Sequence, residues 1–241
     1  MIHSTNCSLI PHPDPDASLQ AAITENPANA SSPVAGGFGK RAIGEPKKFW
    51  KPGRPLRIAF VNTPVPAYRN AVKAAASLWL PWVNLTFEFV EGKKGEIKIF
   101  TEYDQTYSLM GTDALTVGPS DATMVLGLKL DDVHFEAKVV HEFGHALGMH
   151  HEHQHPDADI PWDLPKVYAH FAKEGVSAAE VDQQILDKVD RSQMLASRYD
   201  RKSIMHYPVR QELTIGDWSI PQNLKISRKD KAFMRKAYPP A

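Results

Sequence analysis

Six of the chain's eleven histidines fall within fifteen residues, in HEFGHALGMHHEHQH from His141 to His155. Neutral imidazoles are metal ligands, so their spacing decides what such a cluster can do. His141 and His145 are four residues apart, one helical turn along the same face, and can share one ion. Glu142 is rotated by about 100° from His141 and stands beside such an ion without ligating it. That position suits a base acting on bound water.

The third ligand carries the most information. His151 lies six residues past His145, and a continuing helix would turn it about 240° away from the metal face. Gly148, midway, can take the positive φ that ends a helix and turns the chain back. Three imidazoles leave the fourth position of a tetrahedral zinc for water, which defines a catalytic rather than a structural site. By composition, the full pattern with Gly148 and His151 arises by chance in roughly one such sequence in fifteen thousand. That number disfavours a histidine-rich, solvated loop with adventitious metal affinity. A His2Glu set completed by Glu174 is the alternative, and the Gly148 spacer speaks against it. His150, His153, His155 and His206 are off the ligand register and are expected beside the site or in solvent.

A second segment agrees. Ser203-Ile-Met205-His-Tyr207 follows about fifty residues downstream, and a methionine beneath three histidines gives them a soft apolar floor. HEFGHALGMHHEH followed by YDRKSIMHY resembles the astacin family of metzincin zinc peptidases, with its HExxHxxGxxHE pattern and later SxMHY turn. The likeness runs from about Trp50 to Tyr238 and includes the YSLMG segment at Tyr107 to Gly111. The resemblance implies zinc held by His141, His145 and His151, Glu142 as general base and Met205 as the Met-turn. Tyr207 matches the tyrosine that ligates resting zinc and then steadies the oxyanion. Glu152 matches the acid beneath the site that engages the mature N-terminus.

By that resemblance, zinc held there would lower the pKa of a water, and Glu142 would take its proton as the oxygen attacks a peptide carbonyl. The rival readings are a zinc-binding pseudoenzyme that grips peptides and a hydrolase of small amides. The intact Glu142 disfavours the first, and the Met-turn with an extended cleft disfavours the second. In metzincins the substrate lies extended along a sheet edge. Ala122 to Leu128 is the expected edge here.

Two departures stand out. Family members typically carry two disulfides, whereas a single cysteine, Cys7, rules out any intrachain pair. HQHPDADIPW follows Glu152 where animal members tend to have an arginine and further aspartates. Both point to a divergent, disulfide-free, microbial branch. Cys7 is either inert or a thiolate that caps the zinc in a latent form.

The elements that must position these residues follow from periodicity. Leu56 to Val61, Leu85 to Val90, Ile97 to Ile99 and Met124 to Leu130 read as strands. Ala67 to Leu80 reads as a helix with Val72, Ala76 and Trp79 on one face, and Phe135 to Leu147 as the helix carrying the first two histidines. Ser177-Ala-Ala-Glu180 is a capping box, and a last helix starts near Ser227. The expectation is an α+β, metzincin-type fold: a twisted mixed sheet plus helices in an upper subdomain, a helical and irregular lower one, and a cleft between. Residues 1–46, rich in Pro, Ala, Ser, Asn and Gly, read as an irregular arm and candidate pro-segment, and 47–241 as the catalytic domain.

Lys plus Arg equals Asp plus Glu, at 28 each, so bulk charge suggests neither nucleic acid nor an anionic membrane as partner. No apolar run is long enough to insert in a membrane. Protein or peptide substrates are the expected partners, and oligomeric state has no signature. The resemblance implies a secreted or exported protein, yet MIHSTNCSLIPHPDPD shows no secretory signal.

Overall fold

Five short runs of branched and aromatic residues build one sheet in the computed structural model, which describes residues 12–30, 48–62, 64–92, 94–191 and 198–240. The strands are β1 (Pro55–Phe60), β2 (Thr86–Val90), β3 (Ile97–Phe100), β4 (Thr106–Ser108) and β5 (Met124–Leu126), in the spatial order β2-β1-β3-β5-β4. β1 runs parallel to β2 and β3, and β3 parallel to β5. β4 alone is antiparallel, with Tyr107 opposite Val125. The expected mixed sheet is therefore present, but its rim is not the expected one. β5 lies inside the sheet and β4 forms the edge, because a three-residue strand is too short to show an alternating pattern. β5 also ends before the expected Leu130. A side chain on Gly127 would meet the Tyr103 carbonyl at 1.9 Å, so the chain crosses its neighbour there as bare backbone.

Among the described residues, six α-helices accompany the sheet: α1 (Pro15–Glu25), α2 (Pro66–Ser77), α3 (Phe135–Ala146), α4 (Leu164–Lys173), α5 (Ala178–Val181) and α6 (Arg228–Ala237). α2 stops short of Leu80 because Pro81 disfavours helical backbone before it, and a 3-10 turn over Leu80–Trp82 follows. No helix among the described residues is long and apolar enough to cross a membrane.

α1 lies inside the segment expected to be irregular. Asp14 caps it by accepting from the N–H groups of Asp16 and Ala17, and Pro15 presets its first turn. Its buried residues are Ser18 and Ala22, too small and polar to mark an apolar stripe. Ser18 donates to Asp113, which also pairs with Lys48 at 2.7 Å. Asp113 is thus a buried anchor for this helix.

One core cluster fills the space between sheet and helices, with Trp50, Trp79, Phe143, Phe233 and Tyr238 fully buried. The polar ends of these aromatics are spent on α3. Trp79 donates to the Val140 carbonyl at 2.9 Å, Trp50 to that of Ala146 at 2.8 Å, and Tyr238 to that of Leu147 at 2.9 Å. The last two satisfy carbonyls that a helix end leaves without partners. Core packing and hydrogen bonding thereby fix the one helix that carries the histidines.

At the start of the sheet, Glu96 accepts from the Arg57 backbone N–H at 2.7 Å and guanidinium at 2.7 and 3.0 Å, and from Arg54 at 3.0 Å. Burial pushes its carboxyl up, but the bonds from Arg57 and the charge of Arg54 outweigh that and hold it below the usual range. A depressed folded pKa contributes stability above the unfolded value, lost as pH falls through the folded one. Glu96→Gln should therefore cost about 1–2 kcal/mol at pH 7, discounted for the half-exposed Arg57, with the deficit shrinking below about pH 4. Denaturant titrations of both proteins at the two pH values check this.

Candidate active site

α3 ends in a geometry that only its sequence allows. Gly148 takes φ +87°, its N–H bonds the His145 carbonyl at 2.8 Å, and the Met149 N–H returns to the Gly144 carbonyl at 2.9 Å. This pair of bonds around a left-handed glycine closes the helix and reverses the chain. The reversal delivers His151 back to the face that holds His141 and His145. A Cβ at Gly148 would also lie 2.7 Å from the Phe49 ring. Gly148→Ala should cost about 1–2 kcal/mol in strain alone and weaken zinc binding by roughly tenfold or more as His151 moves. Thermal melts and competition with a chelator read the two effects separately.

The three imidazoles converge. Nε2 of His145 lies 3.1 Å from Nε2 of His141 and 2.9 Å from that of His151. Among the described residues, this trio is the group able to hold a metal ion, and all three are buried. Nδ1 of His141 donates to the Ile204 carbonyl and Nδ1 of His145 to the Met149 carbonyl, both at 2.8 Å. Those bonds fix the tautomer, so both Nε2 atoms present lone pairs to each other. Facing lone pairs repel unless a cation lies among them. Tetrahedral zinc with its usual Zn–N bonds spaces its ligands about 3.3 Å apart, near the separations observed. Burial lowers the His141 pKa to about 4, opposed by its bond to Ile204. Burial, then the neighbouring imidazoles, pushes His145 and His151 well below the ordinary value. All three are neutral near pH 7, the form that ligates, and the residues fit zinc.

The floor of the site is built by a turn and the start of a distant helix. Asp230, in the first turn of α6, accepts from Ser203 Oγ at 2.7 Å and from the Ile204 N–H at 2.9 Å. The turn so held offers the Ile204 carbonyl to His141 and the Met205 carbonyl to the Glu152 N–H at 3.0 Å. It therefore clamps both ligand-bearing segments. Met205 is fully buried, and a Cβ on Gly144 would meet its sulfur at 2.4 Å. Glycine at 144 is what lets α3 rest on the methionine. A glycine inside a helix is a warning sign in sequence, and this is its reason.

Tyr207 is buried and packs between two imidazoles, with its ring 4.2 Å from His151 and 4.3 Å from His153. The His153 contact is a parallel stack at 18°, and His153 Nε2 donates to the Gln184 carbonyl at 2.9 Å. Residues 182–186 form a π-helical turn that extends α5 and presents that carbonyl. His206 bonds Tyr199 at 2.7 Å and the Tyr207 carbonyl at 2.6 Å. His153, His155 and His206 are thus buried structural groups rather than solvent-facing ones. Glu142 is buried on α3 next to the first ligand.

Glu152 is fully buried, and one oxygen accepts from the Asp200 N–H at 2.7 Å. Its other oxygen has no hydrogen-bond partner among the described residues. Glu174 sits at the end of α4, 3.5 Å from His170, and is not part of the metal-binding trio. Cys7 lies outside the described residues. Sequence reasoning missed the backbone carbonyls of Ile204 and Met149, which leave no residue signature. It also missed Asp230, whose capping pattern with Ser227 was visible but whose reach to the turn was not.

Comparison with known proteins agrees with this geometry. The family model Astacin, a peptidase family, matches residues 42–238. One structure of myroilysin is 36% identical, covers 83% of this chain and 100% of its own, and superposes with a TM-score of 0.79. A crystal structure of myroilysin is 31% identical, covers 98% of this chain and 100% of its own, at a TM-score of 0.62. High choriolytic enzyme 1, a hatching enzyme zinc-protease from Oryzias latipes (medaka fish), shares the fold at 17% identity, covering 85% of this chain and 97% of its own, with a TM-score of 0.54. No curated protein matches the chain.

Proposed function

The chain belongs to the astacin family of peptidases, and from that premise we propose that it cuts protein substrates held in extended conformation, with Glu142 as general base and Tyr207 as oxyanion donor. Zinc-dependent endopeptidase activity is the family's chemistry. The observation that carries the residue assignment is the convergence of three neutral Nε2 atoms, with a buried glutamate next in sequence to the first of them on α3.

Zinc held by His141, His145 and His151 supplies a Lewis acid that lowers the pKa of water. Glu142 accepts the proton of the attacking water and returns it to the departing amine. The Tyr207 hydroxyl donates to the carbonyl oxygen as it gains charge. The substrate backbone pairs with the open side of β4, and alternate side chains point into the cleft. Gly148 and Met205 hold this machinery without touching substrate. The unsatisfied oxygen of Glu152 awaits a donor, and the ammonium of a processed N-terminus is the donor the family resemblance supplies. Residues 1–46 are then a pro-segment and 47–241 the catalytic domain, with export from the cell as the setting.

The test is mass spectrometry of new N-termini in a denatured proteome, incubated with zinc-loaded and chelator-stripped protein. New termini only with zinc, at internal positions of long proteins, support the reading. No cleavage by zinc-loaded protein leaves either a latent enzyme held by residues 1–46 or the peptide-binding pseudoenzyme, and removal of those residues separates the two. Release confined to terminal formyl or acetyl groups makes it a small-amide hydrolase.

A further inference from the structure

The chain is neutral overall, but its charges are not evenly spread. Ten of its 28 Lys and Arg lie in residues 198–241, against four of its 28 Asp and Glu. Two of those four acids, Asp200 and Asp230, are buried and occupied internally. The outward face of α6 presents Arg228, Lys229, Lys231, Arg235 and Lys236 and no acid. No salt bridge neutralises any of these five among the described residues.

Beside the start of α6 lies a groove of about 870 Å³ between residues 200–202 and 219–229. Arg201, Lys202, Lys225, Arg228 and Lys229 line it, against the single carboxylate of Asp200. Asp200 is already engaged by the Lys202 N–H at 3.1 Å and Ser227 Oγ at 2.7 Å. Between the cations are Ile220, Pro221, Leu224 and Ile226, and Leu224 is half exposed. Lys229 is engaged by the Tyr199 carbonyl at 2.7 Å and Arg201 by the Ser219 carbonyl at 3.0 Å, whereas Lys202, Lys225 and Arg228 have no ion-pair partner among the described residues. Apolar residues interleaved with such cations call for a ligand with both characters.

We propose that this groove is a docking site for an acidic polypeptide segment of a partner protein, one that also carries apolar side chains. Charge complementarity selects the acids, and the leucine and isoleucines select the apolar groups. Other polyanions fit less well. Single-stranded nucleic-acid sites rely on open aromatic faces, and one face of the neighbouring Trp218 is covered by Arg201 at 4.4 Å. Membrane-surface helices need an apolar outer face, and that of α6 has only Ala232 among its charges. The site does not depend on the catalytic reading, since binding here needs neither zinc nor Glu142.

The test is fluorescence anisotropy of a labelled peptide of repeating Glu-Glu-Leu, titrated with the zinc-loaded full chain in the Glu142→Ala background so that the probe survives. Binding should weaken with added salt, because exposed charges are screened over about 8 Å at physiological ionic strength. The triple variant Lys202→Glu/Lys225→Glu/Arg228→Glu should weaken it at least about tenfold. Leu224→Asn should weaken it by about three- to tenfold, and polyglutamate should bind less tightly than the leucine peptide. The same triple variant, made with Glu142 intact, should turn over a short neutral peptide normally, which verifies its fold. Absent binding, or binding untouched by the triple variant, overturns the proposal. Equal binding of polyglutamate or heparin also overturns it, by reducing the groove to an unspecific cationic surface.

Discussion

Glu142→Ala is expected to lower kcat/KM on an internally cleaved peptide by about 10²–10⁴-fold while one zinc per chain is retained. The two readouts separate because of where Glu142 sits. It is buried on α3 one residue from His141, but the trio that holds the metal does not include it. Alanine is the best helix former, so α3 gains rather than loses local preference. The carbonyls that orient His141 and His145 belong to Ile204 and Met149 and are untouched by the change. Glu142→Gln is the companion variant, since it keeps the shape and removes the base. If loss of the carboxylate is what matters, both variants fall together. A glutamine variant within a few-fold of wild type would transfer the base role to another group.

What the sequence made legible divides along physical lines. The helix carrying His141 and His145 was readable to within a residue, because apolar periodicity and the terminating glycine agree. The role of Gly148 was readable for the same reason: only a left-handed residue there returns His151 to the metal, and the structure has φ +87°. Strands β1, β2 and β3 were visible as runs of branched and aromatic residues. β4 was not, since three residues carry no alternation, and the sheet edge was consequently assigned to β5. α1 escaped because its buried face is Ser18 and Ala22, and polar anchoring through Asp113 replaces the usual apolar stripe. α4 had a signal that went unread: Asp163 as cap, Pro165 in the first turn, and Leu164, Val167, Tyr168 and Phe171 at helical spacing. In the site, residue types announced the ligands and the neighbouring glutamate. The groups that aim them are backbone carbonyls and a distant aspartate, set by tertiary packing that no local pattern encodes.

Tyr207→Phe is expected to lower kcat by about 10²–10³-fold, the loss typical of one oxyanion donor, with KM little changed. The argument rests on how the ring is held. His151 and His153 flank it at 4.2 and 4.3 Å, and Val167, Val181, Ile185 and Leu213 complete its apolar surroundings. The two imidazole contacts are made by the ring, so phenylalanine keeps them while the hydroxyl is lost. A purely structural tyrosine would show its loss as a lower Tm with kcat intact. An oxyanion donor shows the opposite, because charge on the carbonyl oxygen develops only as the transition state forms. If the hydroxyl also ligates the resting zinc, its removal should leave the affinity set by the three imidazoles largely in place, since they already provide the usual protein ligands of a catalytic ion. Wild-type kcat in the Phe variant, with unchanged zinc content, would remove Tyr207 from the chemistry and leave it as the packing element that orders His151 against His153.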